Sequence, residues 1–305
     1  MSESTTTVTS GETTLAGDSA KLKSSRSGAM RAFRELRRNP TALVGLVLLI
    51  LLVLAALLAD VIAPYAPTAI SSREALQPPS RSHWLGTDHL GRDILSRILH
   101  GARISLRVGL ISVGVGALFG GVAGLISGYY GRWIDFLIMR IAEIMLAFPR
   151  LLLALLIAFV LGPTLTNVMI AVGVAAIPEY ARLIRGSVLS ARENLYVDAA
   201  RVVGCPDWII MLRHVLPNVF APLLVVATLG VAWAILAAAS MSYLGMGAQP
   251  PTPEWGAMLA DGRNYLRRAW WVVTFPGVAI MFTVLVINVV GDGLRDALDP
   301  RISDR

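Results

Sequence analysis

Few residue types do chemistry, and this chain uses them sparingly. It holds four histidines, one cysteine and 20 acidic residues in 305. His83, His89, His100 and His214 form no His-Glu-x-x-His pair, the spacing that puts two imidazoles on one helix face for zinc. His83 and His89 lie in a polar loop, where a metal site is conceivable but an ordinary loop is the better expectation. No serine stands in a Gly-x-Ser-x-Gly elbow. No Gly-x-x-x-x-Gly-Lys run offers a phosphate cradle, so ATP has no such seat here. Cys205 has no second cysteine to pair with and reads as a small filler. Arg140 and Glu143, three apart, can pair on one helix face as structural charges. The chain is therefore expected to carry no catalytic residue, no cofactor and no metal.

What remains is one polar, amphipathic stretch, YVDAARVVGCPDWIIMLRHVLPN, from Tyr196 to Asn218. Val197, Ala200 and Val203, then Ile209, Ile210, Leu212 and Val215, recur at helical spacing. Gly204 interrupts the pattern where a helix should stop, because glycine takes a left-handed conformation cheaply. Pro206 suits the first turn of a second helix, and Pro217 is expected to end it. The stretch thus reads as helix, glycine turn, short helix. Ala199 and Ala200 keep one surface small enough for another backbone to approach. By composition alone it fits a docking device as well as an amphipathic helix lying on lipid.

The elements that must position this stretch are membrane spans. The chain is 55% hydrophobic and 15% charged, with a mean hydropathy of +0.64. Soluble domains carry roughly 25% charged residues. The net charge of +7 is explained by basic residues beside spans and gives no reason to expect nucleic acid. Six spans are read, near residues 41–63, 104–130, 133–161, 165–184, 219–244 and 270–292. Each is long enough for a hydrocarbon core of ~30 Å. Lys21, Lys23, Arg26, Arg31, Arg34, Arg37 and Arg38 precede the first span and place the N-terminus inside. The external segment 64–103 nonetheless holds many arginines, among them Arg92, Arg97 and Arg103, against that rule. Pro149 should kink the third span. Gly116, Gly120, Gly124 and Gly128 recur every four residues in the second. They define a close-packing face, either for a partner subunit or for another helix of this chain. The fold class is all-α and polytopic. Residues 1–29 form a polar tail expected to be disordered, 30–63 a basic flank and first span, and 64–103 an external segment. A five-helix core spans 104–295, with the loop at 186–218, and a short tail covers 296–305.

The polar stretch resembles the signature of ABC importer permeases, Glu-Ala-Ala, three residues, Gly, nine residues, Ile, any residue, Leu-Pro. The matching residues are Asp198, Ala199, Ala200, Gly204, His214, Leu216 and Pro217. Aspartate stands for glutamate. Histidine stands for isoleucine, a change associated with the peptide-type branch. Leu85, Gly86, Thr87, Asp88, Gly91, Arg92, Asp93, Ser96 and Arg97 resemble the block before the second span of dipeptide and oligopeptide permeases of the C type. Met139, Arg140 and Leu146 to Pro149 resemble the same group, as do Pro253, Glu254, Trp255, Gly256 and Met258.

The resemblance implies a type I ABC importer permease fold in a prokaryotic inner membrane, with both termini cytoplasmic. It implies that 196–218 is a coupling loop seated on an ATPase subunit. The contact would hold Asp198, Ala199, Ala200 and Gly204, flanked by Arg201, Cys205 and Pro206. ATP and magnesium would belong to partner ATPase subunits. Further implied partners are a second homologous permease, an extracytoplasmic substrate-binding protein, a peptide cargo and membrane lipid. Dipeptides, longer peptides, glutathione and nickel complexes stay open as cargo. A transporter driven by an ion gradient is the other class. It would need carboxylates at mid-membrane, and Asp60, Glu143 and Asp292 are placed near span ends.

Overall fold

The structure, a computed structural model, describes residues 40–298. The basic cluster from Lys21 to Arg38, the polar tail 1–29, and Arg301 and Arg305 lie outside the described residues. Among the described residues the fold is all-helical, apart from one isolated bridge between Thr87 and Asp93. In chain order the helices are α1 (Pro40–Leu57), α2 (Ala59–Ile62), α3 (Ile94–Tyr130), α4 (Arg132–Leu146), α5 (Arg150–Leu161) and α6 (Leu165–Arg192). They are followed by α7 (Leu195–Val202), α8 (Asp207–Ile209), α9 (Leu216–Tyr243), α10 (Trp255–Gly262) and α11 (Trp271–Leu298). Among the described residues five helices are long and apolar enough to cross a membrane, and α4 with α5 makes a sixth only as a pair bent by 94°.

That bend corrects the expected kink in the third span. Pro149 has no N–H for the helix ladder, and its ring would strike the carbonyl four residues back. The chain therefore leaves the helix at Ala147, and Pro149 takes an extended ψ of 127° ahead of α5. The second span begins well before residue 104, because Asp93 caps α3 by accepting from the Ser96 N–H at 2.8 Å. The fourth span runs past Ile184 to Arg192, and the sixth past residue 292 to Leu298.

The spine of the bundle is α3 against α6, and the glycine stripe makes it. A Cβ at Gly116 would lie 2.9 Å from the Ala176 Cβ, and one at Gly120 would lie 2.5 Å from the Ile177 carbonyl. At Gly124 the Ala181 carbonyl would be 2.4 Å away, and at Gly128 the Val188 Cβ 2.8 Å. The stripe thus faces another helix of this chain. Of the two readings open in the sequence, intrachain packing is the one observed. The α1 helix runs antiparallel along α11, where a Cβ at Gly45 would meet Val289 Cγ1 at 2.6 Å. Pro40 and Leu298 therefore lie toward the same end of the bundle.

Residues 63–93 and 244–270 close the opposite end. Trp271 donates its indole N–H to the Thr87 carbonyl at 3.2 Å, and Trp255 donates to Ile98 at 3.1 Å. The arginines that sat awkwardly in an external segment are largely neutralised here. Arg92 is buried with its Nε 2.6 Å from Asp88 and Nη2 3.4 Å from Asp261. Arg97 is buried with its Nε 3.7 Å from the same Asp88 oxygen. Arg103 pairs with Asp60 at 3.0 Å. Paired charges that hold a fold do not count toward orientation as free surface arginines do. His83 is bonded to Asp93 at 3.0 Å, and His89 stacks on Tyr265.

Candidate functional site

The loop 193–215 hangs from the C-terminal ends of α3 and α6 and the start of α9. Its α7 buries Val197 and Ala200 among Ile184, Val188, Ile210, Val215 and Val219. The helix then ends in a Schellman motif. The Gly204 N–H reaches the Arg201 carbonyl at 2.9 Å, and the Cys205 N–H reaches the Ala200 carbonyl at 3.0 Å. Gly204 has φ +88°, the left-handed geometry that closing both bonds requires. Cys205 packs its half-buried side chain back onto the same cluster, as a small filler would.

Pro206 sits one position earlier than the first turn, capping α8 with ψ 148°. Pro217 does not end the second helix. The chain passes through a π-helical turn, Ile210–Val215, directly into α9, and Pro217 falls in the first turn of α9. Its missing N–H falls directly after the π turn, where the i→i−4 ladder is already interrupted. Loop and fifth span are therefore one continuous rod from Asp207 to Tyr243.

Side chains tie the loop to its supports. Tyr129, at the end of α3, donates its hydroxyl to Asp207 Oδ1 at 2.6 Å. Arg192 donates to the Gly128 and Tyr129 carbonyls at 3.3 and 3.1 Å, a cation on the unsatisfied end of α3. Arg185 forks onto Asp135 at 2.5 and 2.6 Å, tying α6 to α4. Asn218 donates to the Tyr196 hydroxyl at 2.9 Å and to the His214 carbonyl at 2.7 Å. Arg201 pairs loosely with Asp198 at 3.4 Å.

The outward face is apolar where a loop in water should not be. Leu195, Val202 and Val203 are 86%, 88% and 81% exposed. Trp208 and Leu212 are exposed beside them, and Asp198, Ala199, Arg201, Gly204 and Pro206 share the surface. Ala200, at 8% exposure, points inward and is a spacer beneath that surface. No group of three or more metal-ligating side chains gathers anywhere among the described residues.

A family profile described as "Binding-protein-dependent transport system inner membrane component" matches residues 120–304. The chain belongs to that family. A second profile, "N-terminal TM domain of oligopeptide transport permease C", matches residues 29–79. Relatives include the dipeptide transport system permease protein DppC of Alkalihalophilus pseudofirmus, 50% identical over 89% of each chain. The glutathione transport system permease protein GsiD of Pectobacterium atrosepticum is 49% identical over 73% of this chain and 74% of its own. The di/tripeptide permease DppC of Pseudomonas aeruginosa is 47% identical over 87% and 90%. A solved structure of the inward-facing MetNI methionine ABC transporter superposes with a TM-score of 0.54 at 20% identity. It covers 67% of this chain and 97% of that one, and shows that the fold is shared.

This permease is a multi-pass transport subunit of an ABC importer and not an enzyme. Sequence reasoning missed two features of it. Of the apolar knobs, Leu195, Val202 and Trp208 belong to no periodic pattern, and Val203 groups with Val197 and Ala200, whereas the fold buries those two and turns Val203 outward. Glu179 stands at the middle of the 28-residue α6, although a fourth span ending at residue 184 puts it near the inner end. The signal that could have found the true end is Arg192-Glu193-Asn194, the first run of polar residues able to stop the helix.

Proposed function

We propose that the permease imports peptides and that the loop 195–208 is the surface on which an ATPase subunit pushes. The observation that carries this reading is the exposed apolar face of Leu195, Val202, Val203 and Trp208, held on a rigid glycine-turned helix at one end of the bundle. In this reading that end is cytoplasmic, as are both termini. Asp198, Ala199, Arg201, Gly204 and Pro206 contact the ATPase, and Ala200 and Cys205 support them from beneath. Small peptides are the favoured cargo, since permeases named for dipeptide, di/tripeptide and glutathione transport all match over nearly the whole chain. A second, homologous permease completes the pore, and a substrate-binding protein delivers cargo at the end built from 63–93 and 244–270.

The mechanics follow from the continuous rod. ATP-driven closure of the ATPase pair displaces the loop. Because Asp207–Tyr243 is one helix and Tyr129 and Arg192 tie the loop to α3, the displacement tilts α9 and α3 together. A bundle with two arrangements then favours the one that the nucleotide state binds better.

The test uses Gly204. A Cβ there meets no atom within 4 Å, so a side chain projects outward and disturbs no internal packing. Gly204→Asn tolerates the left-handed backbone, whereas Gly204→Leu adds bulk and backbone strain. Both proteins should reach the membrane. ATPase subunits should co-purify with the Asn variant and be lost from the Leu variant together with uptake. Full uptake by Gly204→Leu would contradict the coupling role.

A further inference from the structure

A second group of charges lies away from the coupling surface. Arg150 opens α5 and pairs with Glu179 of α6 at 2.5 Å. Its guanidinium carbon stands 3.4 Å from the ring centroid of Trp233 on α9. Three helices thus bring one acid, one base and one indole to a single place. Depth follows from length. Helix α5 has 11 apolar residues after Arg150, about 16 Å at the helical rise. It climbs that distance from Arg150 toward the end that carries 63–93. With the turn between α5 and α6 set at the outer edge of a hydrocarbon core ~30 Å thick, the pair falls inside the core.

Glu179 is nevertheless 52% exposed. A carboxylate exposed at that depth cannot face lipid tails. The rest of the stripe agrees. The exposed residues of α6 that share its face toward the inner end are Arg182, Gly186 and Ser190, without one large apolar side chain. Arg182 has no ion-pair partner among the described residues. The exposed surface of α5 looks different, with the large apolar side chains Leu152, Leu156, Phe159 and Val160 on it.

We infer that Glu179 and Arg150, with Arg182 and Trp233 beside them, form a transit site for a zwitterionic peptide on a water-filled face of the permease. This rests on the reading that peptides are the cargo. Glu179 receives the terminal ammonium, and Arg150 or Arg182 receives the terminal carboxylate. Trp233 offers an indole face next to them. Without cargo, the acid and the base satisfy each other, so no naked charge is left in a low-dielectric place. The pairing is incomplete, since Arg150 Nε has no acceptor. A zwitterion exchanges one ion pair for two and leaves the net charge unchanged. Such an exchange holds cargo weakly enough to release it, which conduction through a pore requires.

The test uses the assembled transporter in proteoliposomes with its binding protein. First, Glu179→Cys and Leu156→Cys are exposed to a charged, membrane-impermeant thiol reagent, with the parent chain and its Cys205 as background. Labelling at 179 and not at 156 is expected. No labelling at 179 above background means that the face is dry, covered by another subunit, and overturns the inference.

Second, uptake of dialanine and dilysine is compared in Glu179→Lys and the parent. Both cargoes lose the contact to their terminal ammonium, but the introduced cation repels dilysine, with three ammonium groups, more than dialanine, with one, so dilysine uptake should fall about tenfold more than dialanine uptake, read as kcat/KM. Equal loss for both cargoes would mean a structural ion pair only, and also overturns it. Failure of the peptide-importer reading shows separately, as no ATP-driven peptide uptake by the parent complex. The labelling pattern still decides whether the face is wet.

Discussion

Gly124→Ala against Gly114→Ala is the sharpest test of the bundle's spine. A Cβ at Gly124 would stand 2.4 Å from the Ala181 carbonyl oxygen, 2.9 Å from the Ile184 Cβ and 3.0 Å from the Arg185 nitrogen. Ordinary contact begins at 3.4 Å, so α3 and α6 must separate by about 1 Å locally, and two of the opposing atoms are backbone that cannot rotate away. At Gly114 a Cβ meets nothing within 4 Å. Both changes gain the same helix propensity, about 1 kcal/mol, which cancels in the comparison. What is left is the overpacking at Gly124, about 1–3 kcal/mol, and a lowered melting temperature follows. The assay is thermal unfolding of the purified transporter, repeated on this permease purified without its partner. Equal melting of the two variants would refute the seam. So would a loss seen only in the assembled complex, because that would move the glycine face to a subunit interface.

Tyr129→Phe removes one hydrogen bond to Asp207, about 1 kcal/mol, and should lower uptake while ATP hydrolysis continues; equal falls in both would mean the bond does not transmit motion. Asp88→Asn leaves the buried Arg92 and Arg97 without their shared carboxylate, a cost of about 3–5 kcal/mol, and should expose segment 64–93 to proteolysis. Burial raises the Glu254 carboxyl above its ordinary 4.5, against the opposing pull of the Gly256 and Ala257 N–H groups. The folded state therefore holds that proton more tightly than the unfolded one. The associated stability is complete below 4.5 and is lost as pH rises through the higher folded value. Glu254→Gln should flatten this slope in melting temperatures measured from about pH 4 to 7.

Part of this protein was legible in one dimension. Apolar run length fixes the spans because the bilayer fixes how many residues must cross it, and this held for α1, α3, α6, α9 and α11. The turn at Gly204 was legible because only a residue without a Cβ adopts φ +88° at no cost. The absence of nucleophile and phosphate-loop patterns likewise needs no coordinates to read.

Tertiary structure decided which faces those elements turn to which neighbours. Four-apart glycines announce a close approach but not the helix that approaches, and here it is α6. The arginines of segment 64–103 looked like free positive charge, until the fold brought Asp88 and Asp261 to Arg92, 169 residues separating the latter pair. Pro149 and Pro217 carry the same missing N–H. One breaks a span by 94° and the other opens α9 without interrupting the rod. The difference lies in the hydrogen bond each would have made, which the preceding turn determines. Arg150, Glu179 and Trp233 come from three helices, and only packing makes them one site. Periodicity is a property of one helix, whereas a site is a property of several, and no single stretch of sequence records where the others stand.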